Sequence, residues 1–344
     1  MNPLFRLCLL VPAVLLGNSA LAYTTVENRS LDAGNIRDLV IRTYSGPLTI
    51  SRSDNDRIEV EVLIEFNNDW DDDEARQALS EGLVLDLERR GSRAELDSWV
   101  GDYDENDDVS FFTWGLIDFF RSGKDRPYSH LEVKVPEGID LRINDYRGEV
   151  IISGTRGDLE LRTGGGDAFI SNIDGDLDLQ DGGGEIAVSE VTGDVEIRDG
   201  GGSLEVEKVG GRLTIHDGGG SIEVANVGGH LDIRDGGGSI RVRDIDSDGE
   251  IYDGSGEITV SRVKGSISFT DGGGGINVSD VGKDVIVYRR GGGSFNVRNV
   301  QGEVIEAASA PRDTRGNYRN RYWNWDRDTD IDEDIDIDAD IDVD

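Results

Sequence analysis

Six aspartates, Asp181, Asp199, Asp217, Asp235, Asp253 and Asp271, recur every 18 residues, each directly ahead of a glycine-rich triplet. Asp145 stands in the same phase, with Thr163 in the intervening place. Carboxylates in so regular a row admit two kinds of chemistry. In the plainer one, each accepts hydrogen bonds from the amides of the glycines that follow it, an Asx-type turn. In the other, the row is a ladder of Ca²⁺ sites, because hard cations take carboxylate oxygens and relieve like-charge repulsion. A nonapeptide calcium roll places its aspartate after the glycines; here it comes before them, so that motif is absent.

The elements that carry this row are equally periodic. From Gly157 to Val300 the chain runs in copies such as GDLDLQDGGGEIAVSEVT, GDVEIRDGGGSLEVEKVG and GRLTIHDGGGSIEVANVG. With Gly157 as position 1, apolar residues hold positions 3, 5, 12, 14 and 17. Position 5, for example, is Leu161, Leu179, Ile197, Ile215, Ile233, Ile251 and Phe269. A step of two within each run puts these side chains on one face of a short strand. An 18-residue unit cannot bury that face alone, so the repeat predicts stacked turns around a continuous apolar column. The fold class is therefore all-β: a single-stranded parallel β-helix, or β-solenoid, of 18-residue turns. Parallel crossovers favour a right-handed coil, and about nine turns at the strand spacing give a rod of roughly 40 Å. The glycines make the corners.

Four regions follow. Residues 1–22 read as a signal peptide, with Arg6, an apolar run and an Ala20-Leu21-Ala22 cleavage site. Residues 23–135 hold a first turn and a small helix-containing N-terminal cap, with an aromatic insertion at 111–120. Residues 136–307 are the solenoid, and 308–344 an aromatic and basic segment with an acidic tail. Within 23–135, RIEVEVLIEF (57–66) is a strand by its alternation. Asp residues ahead of Glu74 cap a short helix, LVLDLERR and SRAELDSWV form a hairpin, and HLEVKVPEG leads into the repeats.

Lys and Arg number 35 against 71 Asp and Glu, a net charge of −36. That excess argues against nucleic acid or anionic lipid as a general partner. The single cysteine, Cys8, lies in the leader, so the mature chain has no disulfide, thiol nucleophile or thiolate metal site. No stretch after the leader approaches the ~20 apolar residues that span a bilayer. His130, His216 and His230 show no catalytic or ligand spacing, and the short turns wall no cleft. Outward charges, Glu160, Asp178, Glu196, Asp232 and Glu250 at position 4 with Arg162, Arg198 and Arg234 at position 6, read as surface pairs of little energy each. Such a flat, repetitive face could also match a repetitive polymer. Two irregular segments invite partner contact. FFTWGLIDFF carries Phe111, Phe112, Trp114, Phe119 and Phe120, which either plug the column or touch a membrane surface or partner. NYRNRYWNWDRD carries Tyr322, Trp323 and Trp325, which either cap the rod or stack on sugars.

The order of a leader, LVIRTYSGPLTISR, a helix-containing insertion and LEVKVPEGIDLRINDYRGEVIISGTRGDLELRTGGG resembles the bacterial putative-adhesin family of β-strand-repeat envelope proteins. The resemblance covers roughly residues 39–303 and implies a non-catalytic envelope role without an active site. The expectation is thus an exported, periplasmic or surface-located scaffold that binds a protein partner or polysaccharide and needs no cofactor beyond the Ca²⁺ option. Alternatives are a glycan-acting enzyme on a β-helix and a Ca²⁺-responsive structural module.

Overall fold

The computed structural model describes residues 23–44, 46–67, 70–100, 127–146 and 148–307. Strand pairing within it is that of a β-solenoid of about nine turns of roughly 18 residues. Each turn gives one strand to each of two 13-stranded sheets. In one turn, Leu213–Asp217 lies in sheet II and Gly220–Val227 in sheet I. Over most of the stack neighbouring turns pair in parallel and in register, Ile197 beside Ile215 beside Ile233, and Val206 beside Val224 beside Val242. Positions 3, 5, 12, 14 and 17 point inward and form one core cluster. Burying a Val, Leu or Ile side chain is worth roughly 1.5–3 kcal/mol, largely offset by the entropy of ordering the chain. Each turn is therefore marginal alone and stable in the stack.

The three-residue step between positions 14 and 17 has a backbone cause. Position 16 is left-handed in eight turns, at Asn172, Glu190, Lys208, Asn226, Asp244, Arg262, Asp280 and Asn299, with φ from 52° to 62°. One such residue turns the next side chain back into the core. Because glutamate, lysine and arginine hold the place as often as asparagine, its turn character is invisible in the composition. Stacked side chains in this row pair instead: Lys208 Nζ donates to Glu190 at 2.8 Å, and Arg262 Nε and a terminal nitrogen to Asp244 at 2.6 and 2.7 Å.

At the N-terminal end the elements are β1 (Tyr23–Asp32), β2 (Asp38–Thr43), β3 (Leu48–Arg52), β4 (Arg57–Phe66), α1 (Asp72–Gly82), β5 (Leu83–Arg90), β6 (Arg93–Val100), β7 (Tyr128–Val135), β8 (Asp140–Asp145) and β9 (Val150–Ser153). β2 and β3 form the first turn and pair directly with β8 and β9. The insertion between them extends both sheets outward. β7 joins β3 in parallel and carries β4 and β1 as antiparallel strands beyond it in sheet I, while β6 joins β2 in parallel and carries β5 antiparallel in sheet II. α1 starts in a capping box: Asp71 accepts from the amides of Asp73 and Glu74, and the Glu74 carboxylate accepts from the Asp71 amide. Such a cap satisfies orphan amides at a helix start. Phe66, Trp70, Ala75 and Ala78 join the same core cluster as the repeats. Tyr44 stacks on Tyr146 with centroids 4.7 Å apart and meets Trp99 edge-on at 5.4 Å, tying the first turn to β6 and to the end of β8.

In the last described turn the inward residues lose their cover. Phe295, Val297 and Val300 are half-buried and Val304 is exposed. One turn earlier, Ile276, Val278 and Val285 are fully buried. The displaced glycine triplet of the eighth copy appears as a register shift after Phe269, where Thr270 pairs with Arg289.

Candidate functional site

Alternation decides where the aspartate row points. Position 7 has the same parity as inward positions 3 and 5, so each Asp-Gly corner begins with a carboxylate inside the coil. Asp181, Asp199, Asp217, Asp235, Asp253 and Asp271 are all buried, at 8% exposure or less. They stack rung on rung, Asp181 beside Asp199, Asp217 and so on to Asp271. In each, one oxygen accepts the amide two residues on, at 2.8 to 3.2 Å: Gly183, Gly201, Gly219, Gly237, Ser255 and Gly273. The second oxygen of every rung is buried without a hydrogen-bond partner, as is Thr163 Oγ1 in the same row. The column stops at Asp271, because the register shift that follows puts Arg289 opposite Thr270.

This environment acts on the protons. Burial, then the charge of Asp199, pushes Asp181 up to about 7, while the glycine amides pull the other way. Burial likewise raises Asp217 and Asp253 to about 6, and Asp199 and Asp235 above the ordinary carboxylate range. Two full charges about 4.8 Å apart repel by roughly 3 kcal/mol at an effective dielectric near 20. A fully ionised column is therefore costly. For Ca²⁺ the donor set is thin. Each turn offers one uncommitted carboxylate oxygen, whereas the ion takes six to eight oxygens, and among the described residues no three acidic or imidazole side chains converge on one point.

A second aspartate row, at position 2, was legible in the recurrent Gly-Asp openings but carried no expectation. Asp140, Asp158, Asp176 and Asp194 each accept the amide of the equivalent residue one turn on, at 2.7 to 2.9 Å. These are exposed staples between turns. With Glu160 and Asp178 they line an acidic groove of about 470 Å³ along the outside of sheet II. Most of the outward charges expected to pair do so, Arg162 with Glu160 at 3.0 Å, Arg198 with Asp178 at 3.1 Å and also with Glu196, and Arg234 with Asp232 at 3.2 Å, while Glu250 forms no ion pair among the described residues.

The outer face of sheet I differs. Over four consecutive strands, β3, β9, Ala168–Ile173 and Gly184–Val191, position 15 and its equivalent are Ser51, Ser153, Ser171 and Ser189. The neighbouring row is Thr49, Ile151, Phe169 and Ala187, all half-buried. Ser171 Oγ donates to Ser153 Oγ at 3.1 Å, and Thr49 Oγ1 lies 3.1 Å from His130 Nε2. The stripe is bounded by the Glu132–Lys134 pair on one side and by Glu205 and Glu207 on the other. The two rows themselves carry no charge, although the exposed Glu149, Asp167 and Glu185 run along the row-13 edge; hydroxyls beside apolar side chains suit a neutral polyhydroxylated ligand better than an anion. The serine row recurs in the repeat alignment and was the overlooked signal. The aromatic residues expected to make partner contact, Phe111, Phe112, Trp114, Phe119, Phe120, Tyr322, Trp323 and Trp325, lie outside the described residues, as do residues 1–22 and the acidic tail.

No family model and no curated protein matches the sequence. Among solved structures the chain is similar to a putative adhesin from Parabacteroides distasonis ATCC 8503, at 13% identity over 82% of this chain and 97% of that one, with a TM-score of 0.30. It is also similar to a putative cell adhesion protein from Clostridium sporogenes ATCC 15579, at 9% identity over 80% of this chain and 100% of that one (TM-score 0.26). A third is a putative lipid binding protein from Parabacteroides distasonis ATCC 8503, at 12% identity over 83% and 95% (TM-score 0.25). The superpositions are loose, and the fold rests on this chain's own strand pairing. Among the described residues no helix is long and apolar enough to cross a membrane.

Proposed function

We propose that the chain is a non-catalytic, adhesin-like scaffold exported to the cell envelope, which lays an extended neutral polysaccharide along the outer face of sheet I. The observation that carries this reading is the uncharged double row of Ser51, Ser153, Ser171 and Ser189 beside Thr49, Ile151, Phe169 and Ala187. Its step of about 4.8 Å per strand is comparable to the length of one sugar ring. Ring C–H faces would rest on Phe169 and Ile151 while the serine hydroxyls exchange hydrogen bonds with sugar hydroxyls. A rod of in-register turns presents such a ligand with a rigid surface, so little conformational entropy is lost on binding.

Binding of purified envelope polysaccharides, measured by calorimetry with the full chain, tests this. Phe169→Ala should weaken binding about 3- to 10-fold, the worth of one aromatic stacking contact, and leave the melting temperature within a few degrees. Unchanged affinity in the variant would place the contact elsewhere. New reducing ends appearing in the polysaccharide during incubation would show an enzyme instead of a scaffold.

A further inference from the structure

We infer that the inward aspartate column is a proton-binding site: some of its rungs hold a proton at neutral pH, and the rod is held more tightly in acid than in alkali. Six carboxylates stand in register inside the coil, and each has one buried oxygen that no protein donor reaches. A proton on one rung supplies what is missing. It takes the place of the absent donor on that oxygen, removes one of two adjacent charges and ends the desolvation cost of a buried anion. The proton comes from solvent and no bond other than O–H is made or broken.

The charged groups that bear on the column are themselves carboxylates, and none is a cation. Asp199 and Asp167 act on Asp181, Asp199 and Asp235 on Asp217, and Asp235 and Asp271 on Asp253. Across the coil the strands of sheet I present only aliphatic side chains, such as Ile222, Val224 and Val227. Nothing inside competes with the proton as a counterion.

The sign follows from linkage. In the unfolded chain these groups titrate near the ordinary aspartate value of about 3.9, and in the fold Asp181 is pushed up to about 7 and Asp217 and Asp253 to about 6. Between about pH 4 and pH 7 the native state binds more protons than the unfolded state, so stability falls as pH rises through that window. The usual carboxylate behaviour is the reverse. An acidic surface also gains stability in acid as its self-repulsion fades, so the two causes must be separated.

The test is thermal melting of the full chain from pH 4.5 to 8.5 in about 1 M salt, where the Debye length is about 3 Å and surface repulsion is screened. The wild type should still lose melting temperature by several degrees toward alkaline pH. The double variant Asp199→Asn and Asp217→Asn, whose amides donate without a proton, should flatten that slope and melt higher than the wild type at pH 8.5. A wild-type slope that vanishes in salt, or a double variant that keeps it, would overturn the proposal. So would a midpoint at pH 8.5 that Ca²⁺ or K⁺ restores to its acid value, since the ligand would then be a cation. Should the double variant fail to fold, infrared spectroscopy of the wild type at pH 7 decides: a protonated-carboxyl band is expected, and its absence refutes the idea.

Discussion

Gly220→Ala should destroy the stack locally and cost about 4 kcal/mol or more, among the largest effects a single methyl group can have. Two independent causes act at this corner. The backbone there has φ of +148°, which a Cβ disfavours strongly, and an added Cβ would stand 1.9 Å from the Gly202 carbonyl oxygen of the preceding turn. That carbonyl belongs to the equivalent corner glycine, so it cannot retreat without moving the turn beneath it. Position 10 repeats the geometry at Gly238 and Gly256, where the same oxygen would lie 1.6 and 1.5 Å away. Position 9 is permissive in the later turns, although left-handed at Gly183, Gly201 and Gly219: Ser255 occupies it naturally, and a Cβ at Gly273 would meet nothing within 4 Å. Gly273→Ala should therefore lie within about 1 kcal/mol of the wild type. Urea unfolding of the two variants side by side checks the contrast, and equal losses would show that the corners are not shaped by stacking.

Phe269→Ala is the second large effect, at about 3–5 kcal/mol. Phe269 is fully buried and is the bulkiest side chain of the repeat column. It sits between Ile251 and Val287 in row 5, so its loss opens a cavity in the axis of the rod rather than at its margin. Neighbouring turns cannot close inward, because their spacing is set by backbone hydrogen bonds. Phe269→Leu should cost far less, since Leu161 and Leu179 fill the same position in other turns. Calorimetric melting that found the alanine and leucine variants alike would contradict a close-packed column. A related volume adjustment is visible at Gly249, which holds an inward position where other turns have Leu, Val or Ile. A Cβ there would come within 2.7 Å of Ile267 Cδ1, so the neighbouring isoleucine already occupies that space.

Much of this architecture was legible because a period of 18 residues ties each side chain to its equivalents above and below. Rows 3, 5, 12, 14 and 17 were readable as core, and the short helix, the strand at 57–66 and the hairpin were readable from capping residues and alternation. The direction of the aspartate row was also encoded, since position 7 shares the parity of positions 3 and 5. It is easily missed because Asp-Gly normally announces an exposed turn. Other features left no local trace. The left-handed state of position 16 is imposed by the closing geometry of each turn on residues as different as Lys208, Asn226 and Arg262. The placement of β4 between β1 and β7 depends on pairings far apart in sequence. The serine stripe was present in the letters, but its meaning arises only when β3, separated from β9 by the whole insertion, is laid beside it.

The acidic character of the chain also becomes specific in the structure. Part of the charge forms exposed staples at position 2, part is paired along position 4, and part is buried in the column. The outer face of sheet I keeps rows 13 and 15 free of it over four turns in succession, from β3 and β9 through Gly184–Val191, and again over two later turns at Thr259, Ser261, Asn277 and Ser279. The most direct test of a binding role for that face is photo-cross-linking in intact cells, with a photoreactive side chain in place of Ser171 and, as a control on sheet II, in place of Thr214. Polysaccharide adducts from position 171 and none from position 214 are the predicted result. Adducts from neither position, or equal adducts from both, would contradict it.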